Sequence, residues 1–168
     1  FHAWDFAQGG EIVREAIRAQ LRYSASLLNA QCAEHVRPGL FAAVSRLATT
    51  AGFASFDAGS HDNARRLFRF ALACAEEADN WHVRADILCN MARQAIWLGD
   101  HDAGLTFIES AMVRSDRLAP IVRAMLSAVR ARALAELGRT EDALASVRMA
   151  DDEFLKSNPG TNPPNMYW

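Results

Sequence analysis

"GSHDNA" at 59–64 returns as "GDHDAG" at 99–104 and as "GRTEDA" at 138–143. Each copy reads Gly, a variable residue, His or Thr, Asp or Glu, a variable residue, then a small residue. The intervals between the glycines are 40 and 39 residues. Even spacing of this kind is the mark of an internal repeat, so the fold is read from the repeat outward.

Downstream of the first glycine, Ala64, Leu67, Phe68, Ala71, Leu72 and Ala75 lie on one helical face. Forty residues on, Gly104, Phe107, Ile108, Ala111 and Met112 repeat the pattern. The stretches before the glycines are helical too: Leu88, Met91, Ala92, Ala95 and Leu98 form one stripe, and Ala124, Met125, Ala128, Ala131 and Leu134 form another. Each unit is therefore helix, glycine turn, helix. Gly59, Gly99 and Gly138 stand where a helix ends in a left-handed residue, which glycine reaches without steric cost. Asp62, Asp102 and Glu141–Asp142 follow in the next first turn, where a carboxylate suits the free N–H groups and the helix dipole.

Hairpins of this kind cannot bury both faces alone and stack into a solenoid. The expected class is all-α, an α-solenoid of helix hairpins with a leading N-terminal helix. One domain over 1–168 is expected, with the leading helix at about 10–36, hairpins at about 38–78, 81–117 and 119–155, and an irregular tail over 156–168. Val13, Ile17, Leu21 and Leu28 form the side of the leading helix that packs, and Pro38 opens the next helix. On the stacking face, Leu67/Leu72 and Phe107/Met112 become Ser146/Asp151, which points to the end of the array. Met166, Tyr167 and Trp168 in the tail either dock on the last helix or hang free.

The three copies resemble tetratricopeptide units. The first matches at Gly52, Gly59, Ala64, Phe68 and Ala71, and the second at Leu88, Met91, Ala92, Gly99, Gly104, Ile108 and Ala111. The third matches at Ala131, Leu134, Gly138, Ala143, Val147 and Ala150. The spacing exceeds the usual period of about 34 residues, so helices or connecting turns are longer. From Trp4 to about Phe154 the chain also resembles the C-terminal region of actinomycete regulators. In these, a helix-turn-helix of the Cro/phage-repressor (XRE) class precedes a tetratricopeptide-like array. The segments that carry the likeness are "WDFAQGG" at 4–10, "AGF" at 51–53, "ADILCNMARQAIWLGD" at 85–100 and "ARALAELGRTEDAL" at 131–144. The resemblance implies a regulatory or interaction half, and the cysteine usage, three thiols without CxxC spacing, suits a cytoplasmic protein. DNA contact would come only through a helix-turn-helix that these residues do not contain.

Charge and motifs narrow the chemistry. A net charge of −2 draws in neither nucleic acid nor an anionic membrane, and no apolar run is of spanning length. The start "FHAWDF" carries no leader pattern and also suits a trimmed terminus. Cys32, Cys74 and Cys89 lie in helical patterns without CxxC spacing, as reduced, buried thiols would. His61 and His101 share a turn position and read as exposed helix-entry residues rather than metal ligands, so no metal or cofactor is expected. No GxSxG, phosphate-loop, HExxH or GxGxxG pattern occurs, so no enzyme is expected.

In tetratricopeptide arrays the first helix of each hairpin lines a concave face. By repeat position that lining is Arg46, Thr49, Phe53 and Phe56, then Cys89, Asn90, Arg93, Ile96 and Trp97, then Met125, Ala128 and Arg132. Of these, Arg46, Phe53, Phe56, Asn90, Arg93, Trp97 and Arg132 are the candidate site, since arginine forks carboxylates and aromatics anchor apolar groups. The alternative is that the arginines are ordinary solvated positions, with Phe53 and Trp97 packed on neighbouring helices. A peptide or protein partner in the concave groove is expected, and a homodimer is a further expectation. The leading expectation is a ligand- or protein-binding regulatory domain, sensing or oligomerising. A scaffold adaptor unrelated to transcription is the alternative, and a small-molecule enzyme or binding protein is a weaker third.

Overall fold

The computed structural model describes residues 10–158 and 160, and within them the chain is all-helical. The seven helices are α1 (Gly10–Ser26), α2 (Arg37–Asp57), α3 (His61–Glu77), α4 (Trp81–Trp97), α5 (His101–Met112), α6 (Pro120–Glu136) and α7 (Thr140–Leu155). None of them is long and apolar enough to cross a membrane. The tail residues Met166, Tyr167 and Trp168 lie outside the described residues, as do residues 4–9 of the "WDFAQGG" match. Two compact units divide the chain, Phe1–Val83 and Arg84–Trp168.

In the first unit α1 rests on α2, burying Ile17 and Leu21, with Leu28 half-buried. The leading helix ends at Ser26 and not near residue 36. The Ser26 hydroxyl donates to the Tyr23 carbonyl, competing with the helical ladder, and a 3-10 turn over Leu27–Asn29 leads into extended Ala30. Cys32, expected to be a buried helical thiol, is consequently exposed. Pro38 opens α2 as anticipated, since its missing N–H lies where a helix start leaves donors unbonded.

The α2–α3 hairpin is the core of this unit. Ala64, Phe68, Ala71 and Ala75 are buried along α3, and Val44, Ala48, Ala51 and Gly52 along α2. Full burial of a ring such as Phe68 is worth about 1.5–3 kcal/mol. Two polar ties fix the pairing: the buried Ser45 hydroxyl donates to the Ala71 carbonyl at 2.7 Å, and Asn63 Nδ2 donates to Ser55 Oγ at 2.8 Å.

In the second unit α4 meets α5 at Gly104, where an added Cβ would lie 2.6 Å from Ile96 Cγ1. Ile96, Leu105, Ala133, Leu134 and Ala143 gather α4, α5, α6 and α7 into one buried cluster. The α5 helix has 12 residues against 17 in α3, and a longer connector over 113–119 makes up the difference, which keeps the glycine interval near 40. Arg123 holds this connector. Its guanidinium donates to the carbonyls of Leu118 and Ser115 and pairs with Glu153 of α7 at 2.6 Å. Ser146, the polar residue on the stacking face, is satisfied within the fold. It is buried, donating to the Asp142 carbonyl at 2.9 Å and accepting from Arg130 Nη1 at 2.7 Å.

The three glycine turns share one bonding scheme. Gly59, Gly99 and Gly138 have φ of +71°, +84° and +72°. In each, the next residue's N–H reaches back five positions, as Asp100 N does to the Ala95 carbonyl at 2.9 Å. A fourth turn of the same form joins α3 to α4 without glycine. Asp79 takes the left-handed conformation at φ 47°, and Asn80 N bonds the Ala75 carbonyl at 3.1 Å. Asp and Asn tolerate this region better than other side chains do. Asn80 then caps α4 by accepting from Val83 N, as Asp100 caps α5 by accepting from Ala103 N.

Candidate functional site

On α2 of the first unit, Arg46, Phe53 and Phe56 fall at spacings of seven and three residues, so they share a helix side. Arg46 is exposed and its guanidinium makes no ion pair among the described residues; both phenylalanines are half-buried. Their rings meet edge to face with centroids 6.2 Å apart. Phe56 also lies 5.5 Å from the His61 ring across the glycine turn. His61 is therefore a half-buried aromatic neighbour rather than an exposed entry residue, because the turn folds the start of α3 back over Phe56. Thr49 leaves the expected lining. It is buried, with its hydroxyl donating to the Ser45 carbonyl at 2.9 Å.

On α4 in the second unit, Asn90, Arg93 and Trp97 stand at i, i+3 and i+7. Asn90 is half-buried and donates through Nδ2 to Asp86 Oδ1 at 3.3 Å. Arg93 is exposed, and Trp97 is 69% exposed, unusual for an indole. Cys89 and Ile96 were expected beside them but are buried. Successive residues turn by about 100°, so 89 and 90, or 96 and 97, cannot both face outward. Burial, reinforced by the Asp86 charge and opposed by Arg93, pushes the Cys89 thiol up to about 12. Cys89 is thus a neutral core thiol and not a nucleophile.

Arg132 stands on α6 with Ala128, both exposed, and Met125 half-buried two turns earlier. No hydrogen bond or ion pair joins Arg132 to the α4 residues. The first unit thus brings together Phe53 and Phe56, the second aligns Asn90, Arg93 and Trp97, and Arg132 is left on a separate helix. Two participants escaped the sequence reading, His61 beside Phe56 and Asp86 beside Asn90. Asp86 was legible in principle, since it lies four and seven residues before Asn90 and Arg93 on the same stripe.

A permanently charged guanidinium beside an exposed indole can fork a carboxylate while the ring receives an apolar neighbour. Among the described residues no group of three or more His, Cys, Asp or Glu side chains is placed to hold a metal ion. Comparison with protein-family models, with curated proteins and with solved structures returns no match.

Proposed function

We propose that the chain is a ligand- or protein-binding regulatory module of a transcriptional regulator, built as a tetratricopeptide-like right-handed solenoid. Its first helices would take an acidic peptide or partner segment: Arg46, Phe53 and Phe56 on α2, Asn90, Arg93 and Trp97 on α4, and Arg132 on α6. The observation that carries this reading is the exposed Trp97 one turn from the exposed Arg93. An exposed indole beside a guanidinium is the pair that an acidic, partly apolar segment would fit. The left-handed glycines at intervals of 40 and 39 residues support the repeat architecture on which the reading rests. In the regulator, an effector would act by preferring one arrangement of the hairpins, since equal affinity for two states shifts neither.

The test is a screen of the purified chain against an array of short peptides, beside the Arg93→Ala/Trp97→Ala double variant. Expected is a bound set rich in Asp and Glu that the variant no longer retains while its helical circular dichroism is unchanged. Equal retention by both proteins would remove this face as the site. The coding sequence upstream of Phe1 tests the regulator separately, and a catalytic domain there in place of a helix-turn-helix would refute it.

A further inference from the structure

The last described helix carries an exposed apolar stripe, part of it at positions that earlier hairpins bury. Val147 is the repeat equivalent of Phe68 and Ile108, both 0% exposed, yet it is 45% exposed itself. Leu144 corresponds to buried Leu105 in the second hairpin and to exposed Arg65 in the first, and is exposed in α7. In α5, Leu105 joins Ala133 and Leu134 of the next helix, α6, in one buried cluster. In α7 the stripe continues into exposed Phe154 and Leu155, the latter at 82%, over a length of about 16 Å. Successive turns of about 100° put Leu144, Val147, Asp151, Phe154 and Leu155 on one side, with Arg148 at its edge. Spacing and burial together describe the seat of a helix.

Charge selects the occupant. Arg148, Asp151 and Asp152 are exposed and make no ion pair among the described residues. Two copies of α7 laid antiparallel, with the two-fold axis passing between Met149 and Ala150, set Leu144 level with the other copy's Leu155. The same axis sets Arg148 level with the other copy's Asp151, twice over. A stripe that matches itself in both apolar pattern and charge is what an isologous contact requires.

We propose that α7 pairs antiparallel with the α7 of a second copy of this chain, Leu144 and Val147 covering Phe154 and Leu155, and Arg148 pairing with Asp151. One helix pair lies at the small end of interface sizes, so the dimer dissociates on dilution.

Sedimentation velocity of the whole chain over a concentration series tests this. The native chain is expected to pass from monomer to dimer and no further. Leu155→Asp should abolish dimerisation with helical circular dichroism unchanged. Arg148→Asp should weaken it about tenfold by setting two carboxylates face to face. Adding Asp151→Arg to Arg148→Asp should restore it, which a merely disturbed fold would not do. A monomer throughout the series, a dimer indifferent to Leu155→Asp, or failure of the charge reversal would overturn the proposal. So would assembly beyond two copies, which signals a head-to-tail contact.

Discussion

Gly52 of α2 lies so close to Phe68 of α3 that a Cβ on the glycine would sit 2.7 Å from two atoms of the ring. Phe68 is fully buried, so the ring has nowhere to go. The equivalent pair in the second hairpin is Ala92 with Ile108, both buried, where a smaller partner leaves room for the methyl. Volume is conserved across the pair rather than at either position. Gly52→Ala should therefore destabilise by roughly 1–2 kcal/mol, overpacking outweighing a helix-propensity gain of up to about 1 kcal/mol. Adding Phe68→Ile should recover part of the loss, read by urea unfolding. An additive double variant would refute the pairing.

Glycine substitutions elsewhere separate backbone strain from crowding. Gly99 has open space around its Cβ position but φ +84°, so Gly99→Ala meets only the left-handed penalty, about 1–2 kcal/mol. Gly39 also has open space but sits in the first turn of α2 without positive φ. Gly39→Ala should stabilise by about 0.5–1 kcal/mol. Thermal unfolding of the two variants checks this, and a shift of the same sign in both would contradict it.

The contrast between these turns shows how far the sequence could be read. Gly59, Gly99 and Gly138 were legible because the left-handed conformation favours one residue type. The Asp79 turn does the same work with a residue that usually sits elsewhere, so its place between hairpins was legible and its geometry was not. The connector over 113–119 was hidden because apolar spacing runs through Met112 and Val113 without a breaker until Pro120. Only Arg114 at φ 59° and its bidentate bonds to Asp116 reveal where α5 stops. At the candidate site, residue types were legible and directions were not. Assigning Cys89 with Asn90, and Ile96 with Trp97, to one lining ignored the turn per residue that sends the first of each pair into the core.

Acid should loosen the second unit through Glu153. Lys156, and after it Arg123, hold its carboxyl below the usual value of 4.5. The unfolded chain then takes up this proton first as pH falls. The stabilisation is complete above about pH 4.5 and is lost as pH drops through the depressed native value. Glu153→Gln should remove this part of the acid dependence. Arg123→Met should reduce it while costing about 1–3 kcal/mol near neutrality, because the carbonyls of Leu118 and Ser115 lose their donor. Chemical unfolding at a series of pH values distinguishes the two, and identical slopes in all three proteins would exclude Glu153 as the titrating group.

Thiol labelling tests the placement of the three cysteines. Cys32 is exposed in the segment after α1, while Cys74 and Cys89 are buried. Burial raises both buried thiols, with Glu77 adding to the effect at Cys74 and Asp86 at Cys89, so neither offers a ready thiolate near neutral pH. A disulfide reagent at pH 8 should modify one thiol quickly in the native chain and all three in denaturant. Cys32→Ser should abolish the fast phase and leave the slow ones unchanged. Two fast thiols in the native chain would mean that a helix carrying Cys74 or Cys89 opens far more readily than its buried packing allows.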